Sequence, residues 1–103
     1  MNETKRRVAV VTGGGSGIGE AVAKALAREG FSMAILGRTE EKLRRVAQDI
    51  QSFGEAAYFV CDVSDRRCVD HVFAQIVERM GTPWLLVNSA GINVVNRSMA
   101  TLA

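Results

Sequence analysis

Residues 12–19, with the sequence TGGGSGIG, carry the clearest sign of chemistry in this chain, because seven of the eight are Gly, Ser or Thr. An apolar run at 8–11 precedes the segment, and a helical pattern of apolar residues follows it. Glycine at this density suits a backbone that turns sharply and then approaches a ligand closely. A helix that starts after such a turn presents free N–H groups and the positive end of its dipole to an anion. The segment therefore predicts a site for a phosphate-bearing cofactor.

The spacing of the glycines narrows the kind of cofactor. A phosphate loop of the mononucleotide type needs Lys directly after its last glycine, where this chain has Glu20. The dinucleotide spacing G-x-G-x-x-G also fails, because no pair of glycines is followed by a third at the required distance. The spacing that fits is G-x-x-x-G-x-G on Gly13, Gly17 and Gly19, with Thr12 in front.

This pattern resembles the fingerprint T-G-x-x-x-G-x-G of the short-chain dehydrogenase/reductase family. Two further segments resemble that family: residues 88–91 (NSAG) its N-N-A-G motif, and Asp62 with Val63 its adenine-contact pair. Ser89 stands where the family usually has Asn; the change is mild if this position acts through its backbone, and costs rigidity if its side chain braces the sheet. Asp62 also suits a plainer role, as a turn or helix-start residue before Ser64.

The resemblance implies a set of cofactor-binding residues at the ends of the predicted strands. Gly13 is expected to permit the tight turn, Gly17 to let the backbone approach the pyrophosphate, and Gly19 to let helix and strand pack closely. The alternative is that these small residues merely pack. The whole predicted set is Thr12, Gly13, Ser16, Gly17, Ile18, Gly19, Arg38, Thr39, Asp62, Val63, Asn88, Ala90 and Gly91.

The end of the predicted second strand bears on the choice between NADP and NAD. Sites selective for NAD place Asp or Glu there to hold the ribose hydroxyls, whereas this chain has Gly37, Arg38 and Thr39. No carboxylate at this point repels a 2′-phosphate, and a guanidinium pairs well with one. Against this, Ser16 occupies the place where the family's other NADP signal is a basic residue. We predict NADP, with NAD as the less favoured cofactor.

Strands and helices alternate along the chain. Apolar runs and turn residues predict strands at 7–11, 31–36, 56–60 and 84–87, a first helix at 16–29, a second after Thr39 that Gly54 closes, and a third capped by Ser64 and followed by Gly81. The first helix is expected to bury Ile18 and its apolar neighbours at 21, 22, 25 and 26. The second is expected to bury residues 43, 46, 47 and 50, and the third residues 69, 72, 73, 76, 77 and 80.

This order predicts an α/β fold, a Rossmann-type doubly wound parallel sheet with strand order 3-2-1-4. The runs VAVV, MAIL and WLLV are apolar at every position, as in strands that helices cover on both faces. Residues 1–103 are expected to form the N-terminal half of a single NAD(P)-binding Rossmann domain, ending before the fifth strand. No strand is expected at 92–103, which leaves the outer edge of the fourth strand unpaired and favours self-association of the chain.

No catalytic residue is predicted within the chain. The family's catalytic Ser and Tyr-x-x-x-Lys would lie beyond Ala103; Tyr58 is the only tyrosine, and the residue four positions later is Asp62. Lys5, Lys24 and Lys42 are expected away from the cofactor crevice, and a lone histidine at 71 is expected on an exposed helix face. The resemblance implies an NADP(H)-dependent oxidoreductase acting on a carbonyl or alcohol substrate. The alternative is a catalytically silent nucleotide-binding module or truncated gene product, and an S-adenosylmethionine methyltransferase is a distant third.

Composition and charge set limits on the partners. The net charge of +2 is too small to indicate a nucleic-acid-binding protein, and no apolar run approaches the length of a membrane span. Cys61 and Cys68 have neither metal-ligand nor C-x-x-C spacing, so we expect reduced thiols in a cytoplasmic protein and no metal. A longer parent protein is expected to be a homo-oligomer.

Overall fold

A computed structural model describes residues 7–15, 17–89 and 93–96 of the chain. Strands and helices alternate through it, and the predicted ends are correct to within one or two residues. The strands are β1 (Val8–Thr12), β2 (Ser32–Gly37), β3 (Glu55–Val60), β4 (Pro83–Asn88) and β5 (Asn93–Asn96); the helices are α1 (Gly17–Arg28), α2 (Glu40–Gln51) and α3 (Arg66–Arg79).

The strands form one sheet in the order β3-β2-β1-β4-β5, which confirms the predicted order 3-2-1-4. β1 pairs in parallel with both β2 and β4, and β2 pairs in parallel with β3. The carboxyl ends of these four strands therefore meet at one edge, called here the carboxyl edge. Thr12, Leu36 and Asn88 lie in one row across it.

Two hydrophobic clusters cover the two faces of the sheet. Alternate residues of β1 supply both: Ala9 and Val11 join the cluster that contains α1 and α2, whereas Val8 and Val10 join the cluster of α3. All five residues of β1 are buried, which is why this strand is apolar at nearly every position. The central strand is consequently fixed on both sides, and the loop that leaves it starts from a rigid base.

Helix α1 buries a different face from the predicted one. Its buried residues are Gly19, Ala23 and Ala27, whereas Ile18 is 60% exposed and the predicted stripe at 21, 22, 25 and 26 is exposed or half-buried. The small residues recur every fourth position, so they line one face of the helix. A helix that packs through Gly and Ala approaches the sheet more closely than one that packs through Ile and Leu. Close approach, rather than the largest apolar side chains, decides which face is buried here.

Helices α2 and α3 follow the predicted faces, except that Val77 is 46% exposed. Of the two predicted N-cap residues, one makes no capping hydrogen bond and the other is not the cap. Thr39 occupies the N-cap position of α2, but its side chain makes no capping hydrogen bond. The cap of α3 is Asp65 rather than Ser64, because the Asp65 carboxylate accepts from the N–H groups of Arg67 and Cys68.

The prediction that 92–103 contains no strand is wrong. Asn93–Asn96 forms β5, which pairs antiparallel with residues 85–88 of β4. β4 therefore has a neighbour on its outer edge, so the unpaired β4 edge that was expected to drive self-association is absent. An antiparallel partner can follow β4 closely in sequence, since it needs only a short connection and no crossover helix.

Candidate functional site

The loop that leaves β1 turns at the first glycine of the motif. Gly13 has φ +69°, in the left-handed region that glycine enters without steric cost, and its N–H donates to the carbonyl oxygen of Leu36 at 2.7 Å. Gly14 donates to the same oxygen at 3.1 Å. The turn is thereby attached to the end of β2.

Gly17, the second glycine of the motif, opens α1 with φ +61° and has open space where a side chain would lie. An uncovered backbone at the first residue of a helix leaves N–H groups available to an anion. Gly19 differs, because a Cβ there would overlap the carbonyl oxygen of Gly13 and lie 2.7 Å from its carbonyl carbon. The third glycine therefore lets α1 pack directly against the loop.

A pair of hydroxyl groups joins the end of β4 to the end of β1. The Ser89 hydroxyl donates to the carbonyl oxygen of Thr12 at 2.6 Å, and the Thr12 hydroxyl lies 3.1 Å from Oδ1 of Asn88. The same Ser89 Oγ occupies the space beside Gly13, 2.5 Å from where a Cβ would stand. Ser89 therefore braces the sheet with its side chain, so the replacement of the usual Asn retains a cross-strand contact.

A cavity of about 150 Å³ lies at the carboxyl edge, between the glycine loop and the start of α2. Its lining comes from three segments and consists of Gly13, Gly15, Gly37, Arg38, Thr39, Lys42 and Leu43. The missing side chains of the loop shape it, since a Cβ on Gly15 would lie 3.1 Å from the Cβ of Lys42. The expectation that Lys42 lies away from the crevice is therefore wrong. Its position in the first turn of a helix that starts at the carboxyl edge is the sequence signal that would have located it.

Arg38 and Asp62 face each other across the ends of β2 and β3. Nη1 of Arg38 lies 4.0 Å from Oδ2 of Asp62, and the two side chains are 76% and 48% exposed. The other carboxylate oxygen accepts from the Ser64 hydroxyl at 2.7 Å and the Ser64 N–H at 3.0 Å. These bonds, together with the charge of Arg38, hold the pKa of Asp62 below its usual value, so the group is ionised at neutral pH. The turn role considered for Asp62 is thus observed, and its second oxygen is the one that faces Arg38.

The other predicted site residues fall into two groups. Ile18 and Val63 are exposed at the carboxyl edge, by 60% and 43%, as apolar contacts for a flat ligand would be. The predicted positions Ser16, Ala90 and Gly91 lie outside the described residues.

Tyr58 and Lys24, two side chains able to transfer a proton, do not line the cavity. The Tyr58 hydroxyl donates to Glu40 at 3.1 Å, and this bond raises its pKa. Lys24 pairs with Glu20 and Asp49 at 2.7 and 3.3 Å. Within the described ranges there is no group of three or more potential metal ligands, and no helix is both long and apolar enough to cross a membrane.

A larger groove of about 500 Å³ lies at the opposite end of the sheet, where β2 and β3 begin. Its lining includes Phe31, Ser32, Phe53 and Glu55. Ligands of open α/β sheets bind outside the carboxyl ends of the strands. The smaller cavity is therefore the better candidate site, despite its size.

Comparison with known proteins places this geometry in a family. The family model for short chain dehydrogenase matches residues 7–102. An uncharacterized oxidoreductase of Staphylococcus epidermidis is 38% identical over 91 residues, which are 88% of this chain and 39% of that protein. The structure of an actinorhodin polyketide ketoreductase variant with NADPH superposes with a TM-score of 0.80 at 36% identity, over 85% of this chain and 34% of that one.

A putative D-mannonate oxidoreductase from Haemophilus influenza, solved with bound NAD, superposes with a TM-score of 0.75 at 29% identity, over 79% of this chain and 29% of that one. The chain thus spans between 29% and 39% of the length of these three relatives. Because the family model extends over nearly all of it, from the first strand to the residues after β5, the chain belongs to the short chain dehydrogenase family.

Proposed function

We propose that this chain forms the dinucleotide-binding half of an NADP(H)-dependent oxidoreductase that acts on a carbonyl or alcohol substrate. The observation that carries the proposal is the cavity at the carboxyl edge, which joins the glycine loop to Arg38 and has no carboxylate at position 37. Relatives of known structure have been solved with NADPH and with NAD, so family membership alone leaves the choice of cofactor open. The residues at the end of β2 favour NADP.

The residues present fit a dinucleotide. Gly17 leaves the start of α1 uncovered, so its N–H groups and helix dipole can hold the pyrophosphate. Asp62 is ionised and has one oxygen that is not bonded to Ser64, which suits an acceptor for the adenine amino group, and the neighbouring Val63 is an exposed apolar residue. When bound, the nicotinamide ring supplies or accepts a hydride.

Arg38 is proposed to pair with the 2′-phosphate. Its contact with Asp62 is long and exposed, and such surface pairs are worth little. Turning the guanidinium from Asp62 to a phosphate therefore costs little interaction free energy. In return, Arg38 gains a charge-assisted, forked hydrogen bond. Gly37 adds neither a side chain nor a carboxylate of its own beside the 2′-phosphate.

Calorimetric titration of the wild-type chain, Arg38→Ala and Gly37→Asp with NADPH and NADH tests the cofactor proposal. A charged hydrogen bond is worth roughly 1.5–3 kcal/mol, so Arg38→Ala should weaken NADPH binding about ten- to a hundredfold and leave NADH nearly unchanged. Gly37→Asp should shift the preference toward NADH. A Cβ at 37 would lie 3.1 Å from Cδ2 of the buried Leu43, so this methyl group must shift by a few tenths of an ångström, and the folding of Gly37→Asp is checked by circular dichroism before the titration.

Equal affinity of the wild type for both cofactors, with Arg38→Ala weakening both alike, would contradict the NADP assignment. The preference for NADPH should also shrink at high salt, because an exposed ion pair is screened. A preference that is independent of salt would argue against Arg38 as its source.

A catalytically silent binding module is the second candidate, and the position of Tyr58 favours it for the chain taken alone. This tyrosine lies in β3, hydrogen-bonded to Glu40, and Tyr-x-x-x-Lys is absent from residues 1–103. Without a positioned acid and an oxyanion partner, several powers of ten in rate are lost. We expect no protein-dependent loss of NADPH absorbance with a panel of ketones; turnover that survives repurification would overturn this expectation.

The cellular setting and assembly state are also proposals. The free thiols Cys61 and Cys68 suit a reducing, cytoplasmic location. Trp84, Leu85 and Leu86 of β4 are only half-buried, with Leu85 and Leu86 on opposite faces of the sheet, which favours self-association of the chain through the incompletely covered faces of β4 despite the pairing with β5. Sedimentation of the purified chain tests the second proposal, and a monomer at high micromolar concentration would contradict it.

A further inference from the structure

Lys42 lies in the first turn of α2 and lines the cavity together with Arg38 and Thr39. Its stem starts directly over the glycine loop, since the place of a Gly15 side chain is 3.1 Å from the Lys42 Cβ. Any larger residue at 15 would push the lysine away from the loop. The cavity therefore has a second cationic side chain in its wall, besides Arg38.

Lys42 forms no ion pair with any of the described residues. Lys24, one helix earlier, pairs with two carboxylates. Of the two acidic residues beside it on α2, Glu40 accepts from the Tyr58 hydroxyl, and Glu41 lines a neighbouring groove that Lys42 also lines. An exposed lysine in the wall of a polar cavity, with no ion pair in the part of the chain that the structure describes, is available to an anionic ligand.

The start of α2 is also uncapped. Thr39 stands at the N-cap position in an extended conformation, and its side chain satisfies none of the N–H groups of the first turn. The first N–H groups of a helix lack partners within the helix, and they favour negative charge. This end of α2, with Thr39 and Lys42 both in the cavity wall, therefore attracts an anion independently of Arg38.

We propose that Lys42 is a second specificity-determining residue for NADP(H), placing its ammonium group against the 2′-phosphate opposite Arg38. This inference rests on the proposed function. A phosphate monoester carries between one and two negative charges near neutral pH, more than a single guanidinium neutralises. Arg38 supplies the planar fork that orients the phosphate, and Lys42 supplies a mobile point charge.

The test compares Lys42→Gln with Arg45→Gln in calorimetric titrations of the full chain with NADPH and NADH. Arg45 is the matched control, because it lies on the same helix, shares the neighbouring groove with Lys42 but does not line the cavity, and its replacement removes the same charge. Both positions are exposed, so both variants should fold. We expect Lys42→Gln to weaken NADPH about tenfold while leaving NADH nearly unchanged, as loss of one charged contact would do.

Under the same conditions Arg45→Gln should leave both affinities nearly unchanged. Equal weakening of NADPH by both variants would show a general effect of net charge and overturn the assignment of Lys42. So would an NADPH preference that Lys42→Gln does not alter, and that result would leave the proposed function standing. Absence of binding by the wild type to either cofactor would instead contradict the proposed function, and the inference would fall with it.

Discussion

Replacing Gly19 by Ala should separate two effects that act in opposite directions. In a helix, Ala is favoured over Gly by about 0.5–1 kcal/mol, so propensity alone predicts a more stable chain. A Cβ at this position would, however, overlap the carbonyl group of Gly13 and lie 3.1 Å from the Cα of Gly14. All three contacted atoms belong to the backbone, so no side-chain rotation can relieve the overlap.

The size of the effect follows from how far the backbone must move. The Gly13 carbonyl would have to retreat by about 1 Å, and overpacking of this kind typically costs about 1–3 kcal/mol, occasionally more. The same carbonyl lies in the turn that hydrogen-bonds to Leu36, so its movement also strains that contact. After the propensity gain is subtracted, we expect a net loss of about 1–2 kcal/mol in the free energy of unfolding, a sizeable share of the total of a small domain.

The assay is urea denaturation followed by far-UV circular dichroism, with Gly54→Ala as the control. A Cβ at Gly54 would meet the Cβ of Ala27 at 3.6 Å, which is an ordinary contact. The control should therefore change the free energy of unfolding by no more than about 0.5 kcal/mol. If Gly19→Ala unfolds at the same urea concentration as Gly54→Ala, the close packing of α1 on the loop is refuted.

Three further outcomes follow from individual contacts. Ser89→Ala removes the 2.6 Å hydrogen bond to β1 and should cost about 1 kcal/mol by the same urea assay; no change would show that the hydroxyl does not brace the sheet. Asp65→Ala should cost about 1 kcal/mol through loss of the α3 cap, and more than Ser64→Ala; the reverse order would restore Ser64 as the cap. Burial of the Cys61 thiol, with its hydrogen bond to Cys68, raises the pKa of Cys61 to about 12. Because the thiolate is the reactive form, iodoacetamide near neutral pH should label Cys68 first in the native chain, as peptide mass spectrometry would show, and prior labelling of Cys61 would contradict this.

The order of elements and the sheet topology could be predicted because they depend on patterns that the sequence states directly. The apolar runs of β1, β2 and β4 indicate strands covered on both faces, and the alternation with helices leaves few topologies. The buried face of α2 was equally predictable, since Leu43 and Ile50 are the large apolar residues of an otherwise charged helix.

Other features depend on distances that a sequence does not contain. The buried face of α1 is chosen by how closely the helix approaches the loop, so Gly19 is buried and Ile18 is exposed. β5 has only two apolar residues between asparagines, and its pairing arises from the free edge of β4. The α3 cap was ambiguous because two candidate residues adjoin; Ser64 is already bonded to Asp62, which leaves Asp65 for the helix.

In the candidate site, too, some residues could be predicted from the sequence and others could not. The glycine motif and Arg38 could be identified from their types and spacing. Lys42 was missed although its place in the first turn of α2 was a usable signal; its closeness to the glycine loop depends on the absent side chain of Gly15, which only the structure shows.

The most direct measurement of dinucleotide binding at the carboxyl edge is a titration of the ¹⁵N-labelled chain with NADPH, followed by backbone amide chemical shifts. The amides of Gly13, Gly17 and Arg38 should shift with saturation, whereas those of Phe53 and Glu55, beside the larger groove at the other end of the sheet, should stay in place. Shifts confined to that groove, or no saturable shifts at the glycine loop, would contradict the proposed site.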